Sequence, residues 1–340
     1  MKIAIIGAGP IGSILGAYLA KAGNEVALVD ILKDHLTAIR QKGLTISGVA
    51  EINARVAATY ARIPELVAFK PEVIFVCVKV SVVNAILPEL RSLVSSESTV
   101  RSSETGGSLP RTTNSKLRTT TLVSFQNGLD AEQPLADAFG KDNTLRVVIN
   151  YAGNLIANGE VKMSFFNKPN YIGALSKVGE DKAKKIAEMM TRAGLDTKDV
   201  SASPAGGPDI QRYVWEKVIL NAALSPLCAI TGQTMKQAMD FAGTYHLVEE
   251  ILKEGIAVAK ALGYDYGPGF YEHCLGYLKK AGHHQTSMHI DITNKRPTEI
   301  DFINKKIVDY GLKSRIPTPY NDTIVSIIKA LETINSGTKS

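Results

Sequence analysis

The sequence predicts an α/β fold: a doubly wound, mostly parallel sheet followed by an all-helical C-terminal domain. Three observations carry this prediction. Short apolar runs such as Lys2 to Ile6 (KIAII) and Val73 to Lys79 (VIFVCVK) read as strands buried on both faces. Helical periodicities alternate with them, the pattern of a parallel sheet with crossover helices. The alternation stops near Ala205-Gly206-Gly207-Pro208, which reads as a hinge, and every later pattern is helical. The 340 residues suffice for two cores. The expected domains are 1–204 and 208–335.

The first thirty residues organise the rest. After the strand at Lys2 to Ile6 comes Gly7-Ala8-Gly9-Pro10-Ile11-Gly12, with Pro10 at a first helical position that suits its fixed φ. Ile11, Ile14, Leu15, Tyr18 and Leu19 then repeat at helical spacing, and Glu25 to Val29 (EVALV) is a second strand ending on Asp30. Strand, GxGxxG, helix, strand and an acid about twenty residues on form the fingerprint of a Rossmann-type dinucleotide site. Gly7 permits the tight turn, Gly9 lets the backbone approach a pyrophosphate, and Gly12 lets helix and strand pack closely. Pro10 and Ile11 complete the loop, and the pyrophosphate lies on the helix start. The Asp30 carboxylate accepts from ribose hydroxyls and repels a 2′-phosphate. With Ile31-Leu32 rather than arginine after it, NAD(H) is favoured; Lys33 leaves NADP(H) possible.

Further along, His35 to Lys42 continues a helix closed by Gly43. A helix over Val83 to Leu93 is expected to break or restart at Pro88. Thr121 to Gln126, Leu145 to Ile149 and Tyr171 to Ala174 read as strands, and Lys182 to Ala193 as a helix. Over 95–121, fourteen of 27 residues are Ser or Thr around Gly106-Gly107, a composition that predicts a mobile insertion. It enters the strand at Thr121 from the N-terminal end, whereas ligands bind at carboxyl ends, which argues against a lid. The second domain reads as helices over Ile210 to Thr231, Met235 to Leu262, Pro268 to Ala281, Ser287 to Thr293, Pro297 to Tyr310 and Asn321 to Ile334.

Composition narrows the class. Hydrophobic content is 45% and mean hydropathy is near zero, as for a soluble globular chain. Cys77, Cys228 and Cys274 are dispersed, without CxxC spacing, and predict free thiols in a reducing, cytoplasmic compartment. MKIAII lacks the features of a signal peptide, and no uninterrupted apolar run reaches the ~20 residues of a membrane span. The net charge of +6 is not gathered on any aromatic-bearing segment, which argues against nucleic acid. No metal is implied.

The most informative stretch of the second domain is Trp215 to Ile230 (WEKVILNAALSPLCAI). From Val218 it is apolar nearly all round, a core helix, except for Asn221 and Ser225, which share one face with Lys217. Pro226 is expected to bend it. A desolvated lysine suits a proton donor, while a solvent-reaching lysine at the helix start is the plain alternative. Ser287 and Asp291 are spaced i, i+4, and Glu299 follows in PTEIDFIN. Ser287 could equally cap its helix, and Glu299 could serve the helix dipole. Lys79 and Asn127-Gly128 stand at the carboxyl ends of two strands, where a dinucleotide sits; a solvated charge and a turn residue are the alternatives.

With these residues set out, the sequence resembles the ketopantoate reductase family. The resemblance rests on GAGPIG, VKVS at Val78 to Ser81, QNG at Gln126 to Gly128, WEKVILNAALSPL at Trp215 to Leu227, SMHID and RPTEIDFIN. It covers nearly the whole chain apart from the Ser/Thr-rich insertion, and the ordered set is more specific than any single member. It implies that Lys217 protonates the substrate carbonyl oxygen while NAD(P)H delivers hydride, that Asn221 orients it, and that Glu299 binds the substrate hydroxyl or the lysine. Ser287 would hold the substrate carboxylate, with Ser225 and Asp291 lining the site; Lys79, Asn127 and Glu299 would face the cofactor. The substrate would be a small branched 2-oxo acid and the product a D-2-hydroxy acid, and a homodimer is expected. Two departures stand out: Ser225-Pro226 replaces the usual Asn-Pro, and Asp30-Ile31 replaces the basic residue of the NADPH-using enzymes. Together they suggest a relative that reduces other branched 2-oxo acids, or oxidises D-2-hydroxy acids, with NAD(H); ketopantoate stays the leading substrate because the set Lys217, Asn221, Ser287 and Glu299 is intact. A non-catalytic nucleotide sensor would need neither Lys217 nor Glu299. Enzymes of opine or polyol phosphate chemistry would need basic phosphate-binding clusters that are not evident here.

Overall fold

The structure is a computed structural model that describes residues 1–95, 120–201 and 210–336. The expected insertion over 95–121, save its ends, and the expected hinge at 205–208 lie outside the described residues. Two compact units emerge: Met1–Gln126 with Glu132–Ile210, and Asn127–Ala131 with the chain from Gln211 on.

The first unit runs β1 (Lys2–Ile6), α1 (Pro10–Lys21), β2 (Glu25–Val29), α2 (Lys33–Lys42), β3 (Leu44–Gly48), β4 (Ile52–Ala54), β5 (Ala58–Tyr60), β6 (Val73–Val76), α3 (Val80–Ser95), β7 (Thr121–Ser124), α4 (Gln133–Phe139), β8 (Thr144–Val148), β9 (Tyr151–Ala157), β10 (Glu160–Phe166), β11 (Asn170–Ala174), α5 (Glu180–Arg192) and β12 (Thr197–Asp199). Eight strands form one sheet in the order β12-β11-β8-β7-β6-β1-β2-β5. It is parallel except where β11 meets β8. The carboxyl ends of β1, β2, β6 and β7 therefore share one edge, and the loops that follow them carry Gly7 to Gly9, Asp30, Lys79 and Gln126.

A second sheet, β4-β3-β10-β9, was not foreseen. It lies on the other side of α1: Ile14, Leu15 and Tyr18 share one core with Ile3, Ile5 and Leu28 of the large sheet and with Ile46, Val161 and Met163 of the small one. Tyr18 and Tyr151 fasten it, their hydroxyls donating to Met163 Sδ (3.7 Å) and the Ile11 carbonyl (3.3 Å). Fully burying a side chain such as Ile14 or Leu15 is worth roughly 1.5–3 kcal/mol, which is why this helix is apolar on both faces.

The second unit is helical: α6 (Ile210–Thr231), α7 (Met235–Asp240), α8 (Ala242–Ala261), α9 (Phe270–Lys279), α10 (Ser287–Thr293), α11 (Asn304–Ser314) and α12 (Pro319–Ser336). The single helix expected over Met235 to Leu262 is broken at Phe241, whose extended backbone separates α7 from α8. The helix expected from Pro297 is a 3₁₀ turn, Ile300–Phe302, followed by α11. By length and composition α6 passes for a membrane span, yet 67% of its apolar window is buried inside the protein, which makes it a core helix.

Neither internal proline stops its helix. Pro88 in α3 is exposed, and so is Asn84, whose carbonyl loses its partner, so water can take that place. In α6 the carbonyl left over by Pro226 belongs to the fully buried Ala222, and there the Asn304 side-chain amide donates to it (3.1 Å). That amide also donates to Asn321 Oδ1 (3.0 Å), and Asn321 in turn donates to Glu254 (2.7 Å).

Candidate active site

The glycine loop is built as its spacing demands. Gly7 has a φ of +99°, and a Cβ there would come within 2.8 Å of the Val78 amide nitrogen. A Cβ on Gly12 would lie 1.9 Å from the Gly7 carbonyl oxygen, so helix and strand meet only because it has none. Gly9 is the N-cap of α1 with no side-chain capping bond, and a Cβ there would meet nothing within 4 Å. The loop thus presents open space at the helix start, ahead of Pro10 and Ile11, as a pyrophosphate requires.

Asp30 ends β2 half-buried. Its Oδ2 accepts from the Ala8 N–H (2.7 Å) and its Oδ1 from the Leu32 N–H (3.0 Å). A carboxylate has about four acceptor positions, so each oxygen keeps capacity for a ribose hydroxyl. Ile31 beside it is 85% exposed, and Lys33 is exposed as well. These residues fit a dinucleotide.

Two neighbouring loops are set by a buried network whose residues carried no assigned role in the sequence. Gln126 donates to the carbonyls of Val76 (2.7 Å) and Val78 (3.2 Å), the segment leading into half-buried Lys79. Its Oε1 accepts from Ser124 Oγ (2.7 Å), and Ser124 accepts from Arg146 (3.0 Å). Arg146 is 2% exposed and lies 3.5 Å from the Glu132 carboxylate. Gln126 and Glu132 are the residues between which the chain leaves and rejoins the first unit, so Arg146 holds both ends of the segment 127–131. An arginine inside an otherwise apolar strand (TLRVV) was the only available signal.

That segment builds part of the second unit. The Leu129 N–H donates to the Phe302 carbonyl (2.9 Å), and Asp130 pairs with Lys306 (2.7 Å) and Tyr310 (2.9 Å). Asn127 Nδ2 donates to Glu299 Oε2 (3.2 Å), while its buried Oδ1 has no hydrogen-bond partner among the described residues. Glu299 stands before the 3₁₀ turn with no capping bond, half-buried and turned to Asn127, so it does not cap a helix.

On α6, Lys217 and Asn221 are half-buried and Ser225 is buried, within a helix whose intervening positions are core apart from half-buried Leu220. Glu216 is within 3.6 Å of His273, and burial raises its carboxyl above the usual range. The N-cap of α10 is Thr286, not Ser287: its hydroxyl accepts from the His289 N–H (3.2 Å) and donates to the Ser225 carbonyl (3.2 Å). Ser287, the first helical residue, is left exposed. Asp291 is buried and lies 3.5 Å from Arg296.

The comparisons with known proteins agree along the chain. The family described as Ketopantoate reductase PanE/ApbA matches residues 3–177, and its C-terminal counterpart matches 209–332. The 2-dehydropantoate 2-reductase of Pyrococcus abyssi is 28% identical, covering 98% of this chain and 99% of the relative. Among solved structures, D-mandelate dehydrogenase with NADH and anilino(oxo)acetate superimposes with a TM-score of 0.80 at 25% identity, over 99% of this chain and 100% of that one. The 2-dehydropantoate 2-reductase from Methylococcus capsulatus does so with a TM-score of 0.78 at 25% identity, over 100% and 99%. With a dinucleotide fingerprint at one end and both family matches spanning most of its length, the chain belongs to the ketopantoate reductase family of oxidoreductases.

Proposed function

We propose that the protein reduces a small branched 2-oxo acid to a D-2-hydroxy acid with a nicotinamide cofactor, as a 2-dehydropantoate 2-reductase does. One observation carries the reading: Lys217, Asn221 and Ser225 cut a polar face into a core helix, and their unit also holds the Asn127–Glu299 pair. Such groups are costly to desolvate and are not needed by a protein that only senses nucleotides.

When bound, the cofactor supplies hydride to the carbonyl carbon. As that carbon is reduced, the carbonyl oxygen gains negative charge, and the Lys217 ammonium stabilises it and donates a proton to it. The lysine is left neutral and regains its proton from solvent. Asn221, one turn on, orients the ammonium. Glu299, steadied by Asn127, accepts from the substrate hydroxyl or from Lys217, and the unpartnered Asn127 Oδ1 takes a donor from substrate or cofactor. Ser287 donates to the substrate carboxylate, with Ser225 and Asp291 lining the site and Lys79 on the cofactor side. Asp30 and Ile31 favour NAD(H), since a 2′-phosphate would meet a carboxylate and an apolar side chain where a cation is wanted. The enzyme works in the cytoplasm as a homodimer, without nucleic acid or membrane.

A second substrate reading is an NAD-dependent D-2-hydroxy acid dehydrogenase. It is supported by Ser225 and Asp30 and by the likeness to a D-mandelate dehydrogenase that binds NADH. The test is steady-state oxidation of NADH and NADPH with ketopantoate and with branched and aryl 2-oxo acids, for the wild type and Lys217→Ala. Turnover of ketopantoate is the expected result; NADH turnover confined to other 2-oxo acids establishes the second reading. Loss of a general acid costs about 10²–10⁴-fold in kcat, so full activity in Lys217→Ala overturns the mechanism.

A further inference from the structure

Beneath the glycine loop lies a buried histidine that the mechanism does not use. His35, in α2, is fully buried, and so is Ser13 in α1. The Gly159 N–H, at the turn between β9 and β10, donates to His35 Nδ1 (3.0 Å). A backbone N–H can only donate, so Nδ1 carries no proton and the ring is neutral with its hydrogen on Nε2. That Nε2 faces Ser13 Oγ at 3.4 Å. With Ser13 accepting from the ring, its own hydrogen goes to the Ala8 carbonyl (2.8 Å), and the Ala8 N–H goes to Asp30 Oδ2 (2.7 Å). Every donor in this chain runs one way: Gly159, His35, Ser13, Ala8, Asp30.

The geometry points to His35 and Ser13 as positioning residues for cofactor selection. They fix the Ala8 carbonyl, through the Ala8 backbone the Asp30 carboxylate that meets the ribose, and they tie both to the turn of the second sheet. The inference rests on the dinucleotide reading above. The Ala8 N–H and carbonyl belong to the two peptide units on either side of its Cα, so holding the carbonyl limits the turning of the neighbouring unit that would swing the N–H away from Asp30. A hydrogen bond to a charged group is a strong one, so an unfixed Ala8 leaves Asp30 held by the Leu32 N–H alone. Burial lowers the proton affinity of His35, although the nearby Asp30 charge raises it, in keeping with a neutral ring.

The experiment is direct titration of NADH and NADPH binding by cofactor fluorescence for the wild type, Ser13→Ala, His35→Asn, His35→Gln and the Ser13→Ala/His35→Asn double variant. Thermal unfolding is followed in parallel. The short amide introduced by His35→Asn can accept from Gly159 but cannot reach Ser13, whereas the longer amide introduced by His35→Gln can donate to Ser13. Ser13→Ala and His35→Asn are expected to weaken NADH about tenfold and to narrow its advantage over NADPH, with the double variant no worse than either. His35→Gln is expected to recover most of the affinity and the discrimination, and kcat at saturating NADH to stay within about twofold of wild type. Variants that melt earlier yet bind both dinucleotides with wild-type affinity and ratio overturn the positioning role and leave a structural one. Additive losses in the double variant break the chain as a unit. Ser13→Ala removes one oxygen and keeps the helix, so the test stands if the His35 variants fold poorly. A wild type that binds neither dinucleotide overturns the cofactor reading itself, and is thereby told apart from failure of the positioning role alone.

Discussion

The glycine loop and the second unit draw their hydrogen bonds from different distances along the chain. Around Gly7 to Gly12 most partners are near in sequence: Ala8 with Ser13, Asp30 with Leu32, and Gly12 against Gly7, with Gly7 against Val78 and His35 with Gly159 the long-range contacts. In the second unit they are distant: Asn127 meets Glu299 172 positions away, and Asn304 meets Ala222 82 positions away. A local site forms with its own strand–helix unit, whereas a site assembled from remote segments exists only once the whole unit has packed. Damage to distant supports should therefore spread through the second kind of site and stay confined in the first.

Arg146 gives the severest test, because it fixes both ends of the segment that carries Asn127. Arg146→Met leaves the Glu132 carboxylate buried without its cation and is expected to cost about 3–5 kcal/mol, read from denaturant unfolding. Adding Glu132→Gln removes the stranded charge and should restore most of that loss. A single variant with wild-type stability would show that the network is not a support.

The two prolines sharpen the comparison at a smaller scale. Asn304→Ala strands the buried Ala222 carbonyl and is expected to cost about 1–3 kcal/mol. In a Pro226→Ala background the helix supplies its own donor, so the cost of Asn304→Ala should shrink to the part owed to Asn321. Pro88→Ala should leave stability within about 1 kcal/mol, since water already serves the carbonyl there. Equal costs for Asn304→Ala in both backgrounds would mean that the proline is not the reason for the asparagine.

What could be read from the chain follows the same division. The strand–glycine–helix–strand unit was legible because its motif lies within thirty positions, although its long-range contacts, Gly7 against Val78 and His35 with Gly159, were not. The second sheet was not legible. Its strands β3 and β4 are five and three residues long, and β9 alternates too weakly to signal, being exposed from Asn154 to Ala157. It exists because α1 has a second apolar face to cover. Pro88 suggested a break and Pro226 a bend because sequence shows the missing N–H but not what serves the opposite carbonyl. Arg146, Ser13 and His35 were invisible for a related reason: one charge in a strand, one serine and one histidine acquire meaning only from their partners. Lys217, Asn221 and Ser225 could be seen because their regular spacing interrupts an apolar helix.

Cofactor choice tests the local site. Asp30→Asn keeps an acceptor for the Ala8 N–H but removes the charge that repels a 2′-phosphate. NADPH binding is expected to tighten relative to NADH by about tenfold, or about 1.4 kcal/mol, in fluorescence titration, with unfolding unchanged. An unchanged ratio would place selection elsewhere than Asp30.

The smallest effect expected is a slope with pH. An unfolded imidazole titrates near 6.5, and His35 in the folded protein titrates lower because burial disfavours its charged form. Between the two values the unfolded chain binds the extra proton, so stability rises with pH across that window. The contribution is complete above the unfolded value and is lost progressively as pH falls toward the folded one. The Asp30 charge opposes burial and narrows the window. His35→Gln has no such proton to exclude, so the stability difference between wild type and His35→Gln should shrink on going from about pH 7.5 through 6.5 to 5.5 in urea unfolding. A difference that stays constant across this range would mean that the ring is not held neutral, and the hydrogen on Nε2 that directs Ser13 toward Ala8 would lose its basis.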